Sequence, residues 1–286
     1  MGSLGASGPE CGRARALRTA ALALAGLSAA PGCSCEPEVA GPEVVVYADT
    51  SVRDALEALE ADYERDHAVE LVLELGSSAE LAQEIVDGAE ADLFVSADEL
   101  AMDRVEEAGL LAPGTRRDLL ADRLVVVVRS KGADEAEGLW AYGTPFGPSD
   151  LAGPSVERLA LADVETVPAG RHAQAWLERI GIWSEVRERV LPARDANAAL
   201  EAVESGAAEV GIVHRTDALR SKGVRILYAV PEEESPRIVL PLAMLAGRLA
   251  EPRALALALH LSSSSAQRAF EKEGFVFLPA APPDSE

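Results

Sequence analysis

The chain has 286 residues, of which 48% are apolar, so it is long enough for two ordinary α/β domains and too hydrophobic to be disordered throughout. Its 48 acidic residues against 26 basic ones give a formal net charge of −22, which argues against nucleic acid and anionic lipid as partners. The three cysteines, Cys11, Cys33 and Cys35, all precede Glu36, so the remainder of the chain has no disulfide, no cysteine nucleophile and no thiolate zinc site.

Residues 13–32, RARALRTAALALAGLSAAPG, join a basic segment to an alanine and leucine run too short to span a bilayer. That is the pattern of an export signal. Cys33 follows small residues at its end and resembles the acylated cysteine of bacterial lipoproteins, although Pro31 stands where a small non-proline residue is usual. Ordinary signal cleavage is the alternative. The leader is taken as 1–35 and a polar, Pro-containing linker as 36–42. Strands are then predicted at 44–47, 70–75, 92–95, 124–128, 158–161, 210–213, 225–229 and 238–244. Helices are predicted at 52–66, 79–88, 99–108, 171–180, 184–189, 196–205, 251–261 and 264–274, with Ser262–Ser265 as a helix break and cap. This alternation specifies α/β architecture with parallel sheets covered by helices on both faces. The Gly-rich stretch 131–150 reads as a surface insertion, and 280–286 as a frayed tail.

Three strand-to-helix junctions concentrate the chemistry: VVVYADTSVRDALEAL (44–59), LVLELGSSAELAQEIV (71–86) and RLALADVETVPAGRHAQAWL (158–177). Small and hydroxyl-bearing residues occupy the turns, and the first two carry no cation. Free N–H groups and the positive ends of helices at such places hold an oxyanion without a salt bridge. Ser51 is placed as the N-cap of the first helix. Ser78, with Ser77 beside it and Gly76 before it, opens the second. Ala169 lies between Pro168 and Gly170, and Ala196 follows Asp195, its expected N-cap. Each of these residues is equally explained, from its local pattern, by helix initiation alone. The surface charge does not forbid an anionic ligand, because screening acts within about 8–10 Å whereas donors and dipoles act at contact. No H-E-x-x-H cluster, nucleophile elbow, Walker loop or dinucleotide fingerprint is present, so no metal centre or cofactor is expected.

Seven words occur in order along the chain: ADTS (48–51), GSSAELAQEI (76–85), ADLFVSAD with MDRVEEAGLL (91–111), DLLADRLVVVV (118–128), RLALADVETVPAGRHA (158–173), LPARDANAALEAVESGAAEVGIVHRTDA (191–218) and SKGV (221–224). Together they resemble the periplasmic molybdate-binding proteins that feed ABC-type oxyanion importers. The resemblance implies a bilobal type II periplasmic-binding-protein fold, with two α/β lobes, a central ligand cleft and two crossover strands. Crossings near Ala121 and Leu240 give lobe I as 43–120 plus 241–279 and lobe II as 121–240. It also implies a non-enzymatic, monomeric receptor for a tetrahedral oxyanion, molybdate or tungstate. Its partners would be an ABC permease and ATPase, and its place periplasmic or lipid-anchored at Cys33. The ligand contacts implied are Ser51, Ser78, Ala169, Ala196 and His214, with Asp49, Thr50 and Ser77 around them. The metal is held only as an oxyanion, with no direct metal ligands.

Two residues depart from the family pattern. His214 stands where most members carry tyrosine, and Asp49 where a small apolar residue is usual. These two are expected to pair across the cleft, the carboxylate orienting the imidazole. The same pair is the acid and base of the alternative reading, an enzyme reusing the fold.

Overall fold

Strand β1 (Glu43–Asp49) sets the first layer, because its alternation puts Val44, Val46 and Ala48 on one face and Val45 and Tyr47 on the other. The computed structural model to which it belongs describes residues 42–130 and 146–278. The leader, Cys33, nearly all of the linker, most of the 131–150 insertion and the 280–286 tail lie outside the described residues. Beside β1 stand β2 (Glu70–Gly76) and β3 (Leu93–Val95), both parallel to it. Strands β4 (Arg117–Ala121), β10 (Val239–Met244) and β11 (Val276–Phe277) complete a six-stranded sheet in the order β11-β4-β10-β3-β1-β2. One face is covered by α1 (Arg53–His67), α8 (Pro252–His260) and α9 (Ser264–Lys272) through Leu56, Tyr63, Leu257 and Phe270. The other is covered by α2 (Ser78–Val86) and α3 (Glu99–Glu107) through Leu81, Ile85, Met102 and Val105. This is lobe I.

Lobe II repeats the scheme on β5 (Leu124–Arg129), β6 (Leu159–Ala162), β7 (Val190–Ala193), β8 (Val210–His214) and β9 (Val224–Ala229), in the order β7-β6-β8-β5-β9. Strand β5, LVVVVR, lies between β8 and β9 and sends Leu124, Val126 and Val128 to one core and Val125 and Val127 to the other. The first core holds Trp176 and Leu177 of α4 (Pro168–Arg179) and Val186 of α5 (Trp183–Val186). The second holds Leu200 and Val203 of α6 (Ala196–Ser205) and Ala218 of α7 (Arg215–Arg220).

The expectation of parallel sheets needs correction. Strands β1, β2 and β3 are parallel, as are β6, β7 and β8, but β10 runs antiparallel to β3 and β4, and β5 runs antiparallel to β8 and β9. The chain leaves the first sheet after Ala121, enters the second at Leu124, and returns between Ala229 and Val239. The two crossings touch, the Asp122 N–H donating to Ile238 O at 3.0 Å. Strands β4, β7 and β11 and helix α7 were not among the expected elements. Strand β7 is an edge strand carrying Pro192, a residue that an edge accommodates and that masks the strand pattern. Helix α4 begins at Pro168, three residues before the expected start, because proline's fixed φ suits the first helical position.

Candidate functional site

The carboxyl ends of β1, β2, β6, β7 and β8 face one cleft of about 270 Å³, lined from lobe I by Asp49, Thr50, Ser51, Ser77 and Ala97 and from lobe II by Ala169, Asp195, Ala196 and His214. Outside the carboxyl ends of parallel strands is where open α/β sheets place ligands. On the lobe I side Asp49 is the N-cap of the turn Thr50–Val52 that leads into α1, and its Oδ1 accepts the Ser51 N–H at 2.9 Å. Its Oδ2 accepts the Ser78 N–H at 3.0 Å and the Ser78 hydroxyl at 2.7 Å. The Ser78 Oγ in turn accepts the Ala97 N–H at 2.8 Å. The Ser51 hydroxyl is buried and, among the described residues, has no hydrogen-bond partner.

On the lobe II side Ala169 and Ala196 are first-turn residues of α4 and α6, where a helix has no carbonyl of its own to accept the N–H. Helix α4 reaches the end of β6 because residue 170 is glycine: a Cβ there would stand 2.3 Å from Ala162 O and 2.4 Å from Asp163 O. Helix α6 is capped by Asp195, whose Oδ1 accepts the Ala198 N–H at 2.7 Å. His214, at the end of β8, has its Nε2 3.0 Å from Nδ1 of His172 on α4. Burial first, then the neighbouring His214 and Arg171, push the His172 pKa down to about 3, so this ring is neutral near pH 7. Asp122, buried at the first crossing, accepts the Thr216 hydroxyl at 2.6 Å and the Arg123 N–H at 2.7 Å. Burial raises its pKa, against the opposing pull of His214 and these two donors.

Arginines of lobe II reach across to lobe I. Arg171 Nη2 lies 3.0 Å from Asp98 Oδ2, Arg220 Nη1 donates to Ser51 O at 3.2 Å, and Arg215 Nη1 donates to Gly274 O at 2.5 Å. The cleft therefore offers N–H and O–H donors from two lobes already in contact. Among the described residues no group of three or more His, Cys, Asp or Glu gathers to hold a metal ion, and no helix is long and apolar enough to cross a membrane.

The sequence matches the family model for bacterial extracellular solute-binding proteins over residues 44–276, which spans both lobes. The chain belongs to that family. Among its relatives is the molybdate-binding protein ModA of Escherichia coli, 32% identical over 210 residues that make up 72% of this chain and 78% of the relative. A putative ABC transporter substrate-binding lipoprotein of Bacillus subtilis is 32% identical over 249 residues, 85% of this chain and 92% of the relative. The solved substrate-binding domain of a putative molybdenum ABC transporter from Clostridium difficile superimposes with a TM-score of 0.72 at 27% identity, covering 82% of this chain and 99% of that one.

In this solute-binding protein Asp49, Thr50, Ser51, Ser77, Ala169, Ala196 and His214 line one cleft and Ser78 does not, and three expected roles need correction. Ser51 is not the N-cap of the first helix: α1 has Val52 there with no side-chain bond, and Asp49 caps the turn Thr50–Val52 before it by accepting the Ser51 N–H from two residues back, while the Ser51 hydroxyl is unpartnered among the described residues. Ser78 is 5% exposed and lies behind Asp49, while Ser77 is exposed and caps α2 by accepting the Glu80 N–H. The Asp49–His214 pair does not form. The Asp49 carboxylate is engaged by the two serines of its own lobe, and the His214 partner is His172. His172 and Asp122 were missed. For His172 a signal existed, since it follows Ala169 by three residues and so shares its face at the start of α4.

Proposed function

We propose that the protein is an exported receptor for a tetrahedral oxyanion, most specifically molybdate or tungstate, which it delivers to the permease and ATPase of an ABC importer. The observation that carries this reading is the meeting of both lobes at one cleft: the first-turn backbone of α4 and α6 at Ala169 and Ala196 on one side, and on the other the buried, unpartnered Ser51 hydroxyl beside the Ser51 and Ser78 N–H groups that Asp49 holds. Neutral donors suit an anion that stays fully ionised at neutral pH, since they leave no buried countercharge when it departs. The named function of the Escherichia coli relative, molybdate binding, supports the choice of anion. Cys33 as an acylated anchor is supported by the lipoprotein description of the Bacillus subtilis relative, and a monomer suits a receptor that docks on a permease. The ligand is cargo, and the receptor needs no cofactor. An enzymatic role loses the acid and base pair that motivated it, because Asp49 and His214 are bonded to other partners.

A thermal-shift screen of residues 36–286 with molybdate, tungstate, sulfate, phosphate and chromate tests the reading. A ligand present at a thousand times its dissociation constant stabilises the native state by about 4 kcal/mol. Molybdate and tungstate are expected to raise the melting temperature, and sulfate at equal concentration is not, because a cavity sized for the larger anions holds sulfate through long, weak hydrogen bonds. Equal shifts for sulfate and molybdate refute the size argument, and no shift with any of the five refutes the oxyanion.

A further inference from the structure

We propose that Asp49 is a built-in competitor for the anion: its carboxylate holds the lobe I donors that an incoming oxyanion needs and must be displaced for the anion to bind. This rests on the oxyanion reading and adds to it a residue that sets affinity. A helix cap alone would engage the Ser51 N–H, two residues along the chain. The same carboxylate also takes the N–H and the hydroxyl of Ser78, 29 residues away at the start of a second helix, so it bridges two helix N-termini as a bound anion would. Asp49 lines the cleft beside Ser51 and Ser77 whereas the buried Ser78 does not, so the group this junction presents is the carboxylate rather than the Ser78 hydroxyl. An oxyanion placed against Ser51 and Ser78 with Asp49 still in position would meet a like charge at contact distance and find three of the donors occupied. The Ser51 hydroxyl, buried and unpartnered beside this arrangement, is a lobe I donor that Asp49 does not hold.

The test compares wild type, Asp49→Ala and Asp49→Asn by isothermal titration with molybdate and tungstate, together with amide hydrogen exchange at Ser51 and Ser78 in anion-free buffer. Competition predicts that Asp49→Ala binds the anion at least tenfold more tightly than wild type, with Asp49→Asn between them, although both variants melt at lower temperature without anion. A merely structural cap predicts the opposite, affinity falling together with stability, and that result overturns the proposal. The Ser51 and Ser78 amides should exchange faster in Asp49→Ala than in wild type, and unchanged exchange also overturns it. If exchange responds as expected but no chain binds either anion, the oxyanion reading itself fails and takes the competitor with it. If the alanine variant does not fold, the asparagine variant decides by the same sign of change.

Discussion

The two halves of the cleft answer the same problem differently. In lobe I three donors of Ser51 and Ser78 are held by a carboxylate of the chain itself, so these donors are satisfied and tied down before any solute arrives. In lobe II the first-turn amides of α4 and α6 face the cleft with His214, which contacts His172 on α4, and what holds them is packing, above all the close approach of Gly170 to the end of β6. The difference shows that donors around a cleft can be organised either by a carboxylate of the chain itself or by backbone fit. Substitutions should therefore damage the two sides in distinguishable ways.

The largest effect is expected where backbone meets backbone. Gly170→Ala places a methyl within 2.4 Å of two carbonyl oxygens that cannot rotate away, so α4 must lift from β6. Overpacking of this kind costs about 3 kcal/mol, and the displaced Ala169 N–H should weaken molybdate binding in the same variant, read by denaturant unfolding and titration calorimetry. Retained stability and affinity would show that lobe II is not held by that contact. Ser78→Ala comes next. It removes the hydroxyl that joins Asp49 to the Ala97 N–H and leaves that amide without its acceptor, a loss of about 1–3 kcal/mol in chemical denaturation. Stability unchanged by Ser78→Ala would mean that lobe I is not tied through Ser78.

What the sequence disclosed and what it hid divide along the same physical line. Strands β1, β2, β5 and β8 are β-branched or apolar runs that declare themselves, and α6 starts at Ala196 as its Asp195 cap indicates. The donor junctions were legible for the same reason: a strand end, a small residue and a helix start are local. The partners of the unusual side chains were not. Asp49 meets Ser78 across 29 residues and His172 meets His214 across 42, and nothing in the spacing of either pair encodes the register of the sheets that brings them together. The expected Asp49–His214 pair failed because it gave both residues one partner across the cleft, whereas each found donors or acceptors within its own lobe. The short edge strands β7 and β11 escaped notice because an edge needs little apolar sequence.

A smaller effect should report on the contact between the halves. Asp98 caps α3 by accepting the Leu100 N–H at 3.0 Å and also faces Arg171 across the cleft. Arg171→Ala removes only the second contact. A partly exposed ion pair is worth about 1 kcal/mol or less, so stability should fall slightly and the affinity for molybdate by up to about fivefold. Loss of stability without loss of affinity would show that this pair does not bear on closure around the solute.

The smallest effect is a slope with pH, and it sharpens the account of lobe II. His172 has its folded pKa pushed down to about 3 by burial, by His214 and by Arg171, against an ordinary value of 6.5. Between those two values the unfolded chain binds a proton that the folded chain does not, so stability falls as pH drops below about 6.5 and continues to fall toward pH 3. Buried Asp122, with its pKa raised, works in the opposite sense, because its folded form favours the proton and loses stability as pH rises. The comparison must therefore be a difference between chains. His172→Gln keeps a polar side chain next to His214 but cannot take up a proton, and it should flatten the decline of stability between pH 6.5 and 4 relative to wild type in denaturant unfolding. Parallel curves for the two chains would mean that His172 takes up its proton in the folded protein as readily as in the unfolded chain, and that burial does not keep the ring neutral.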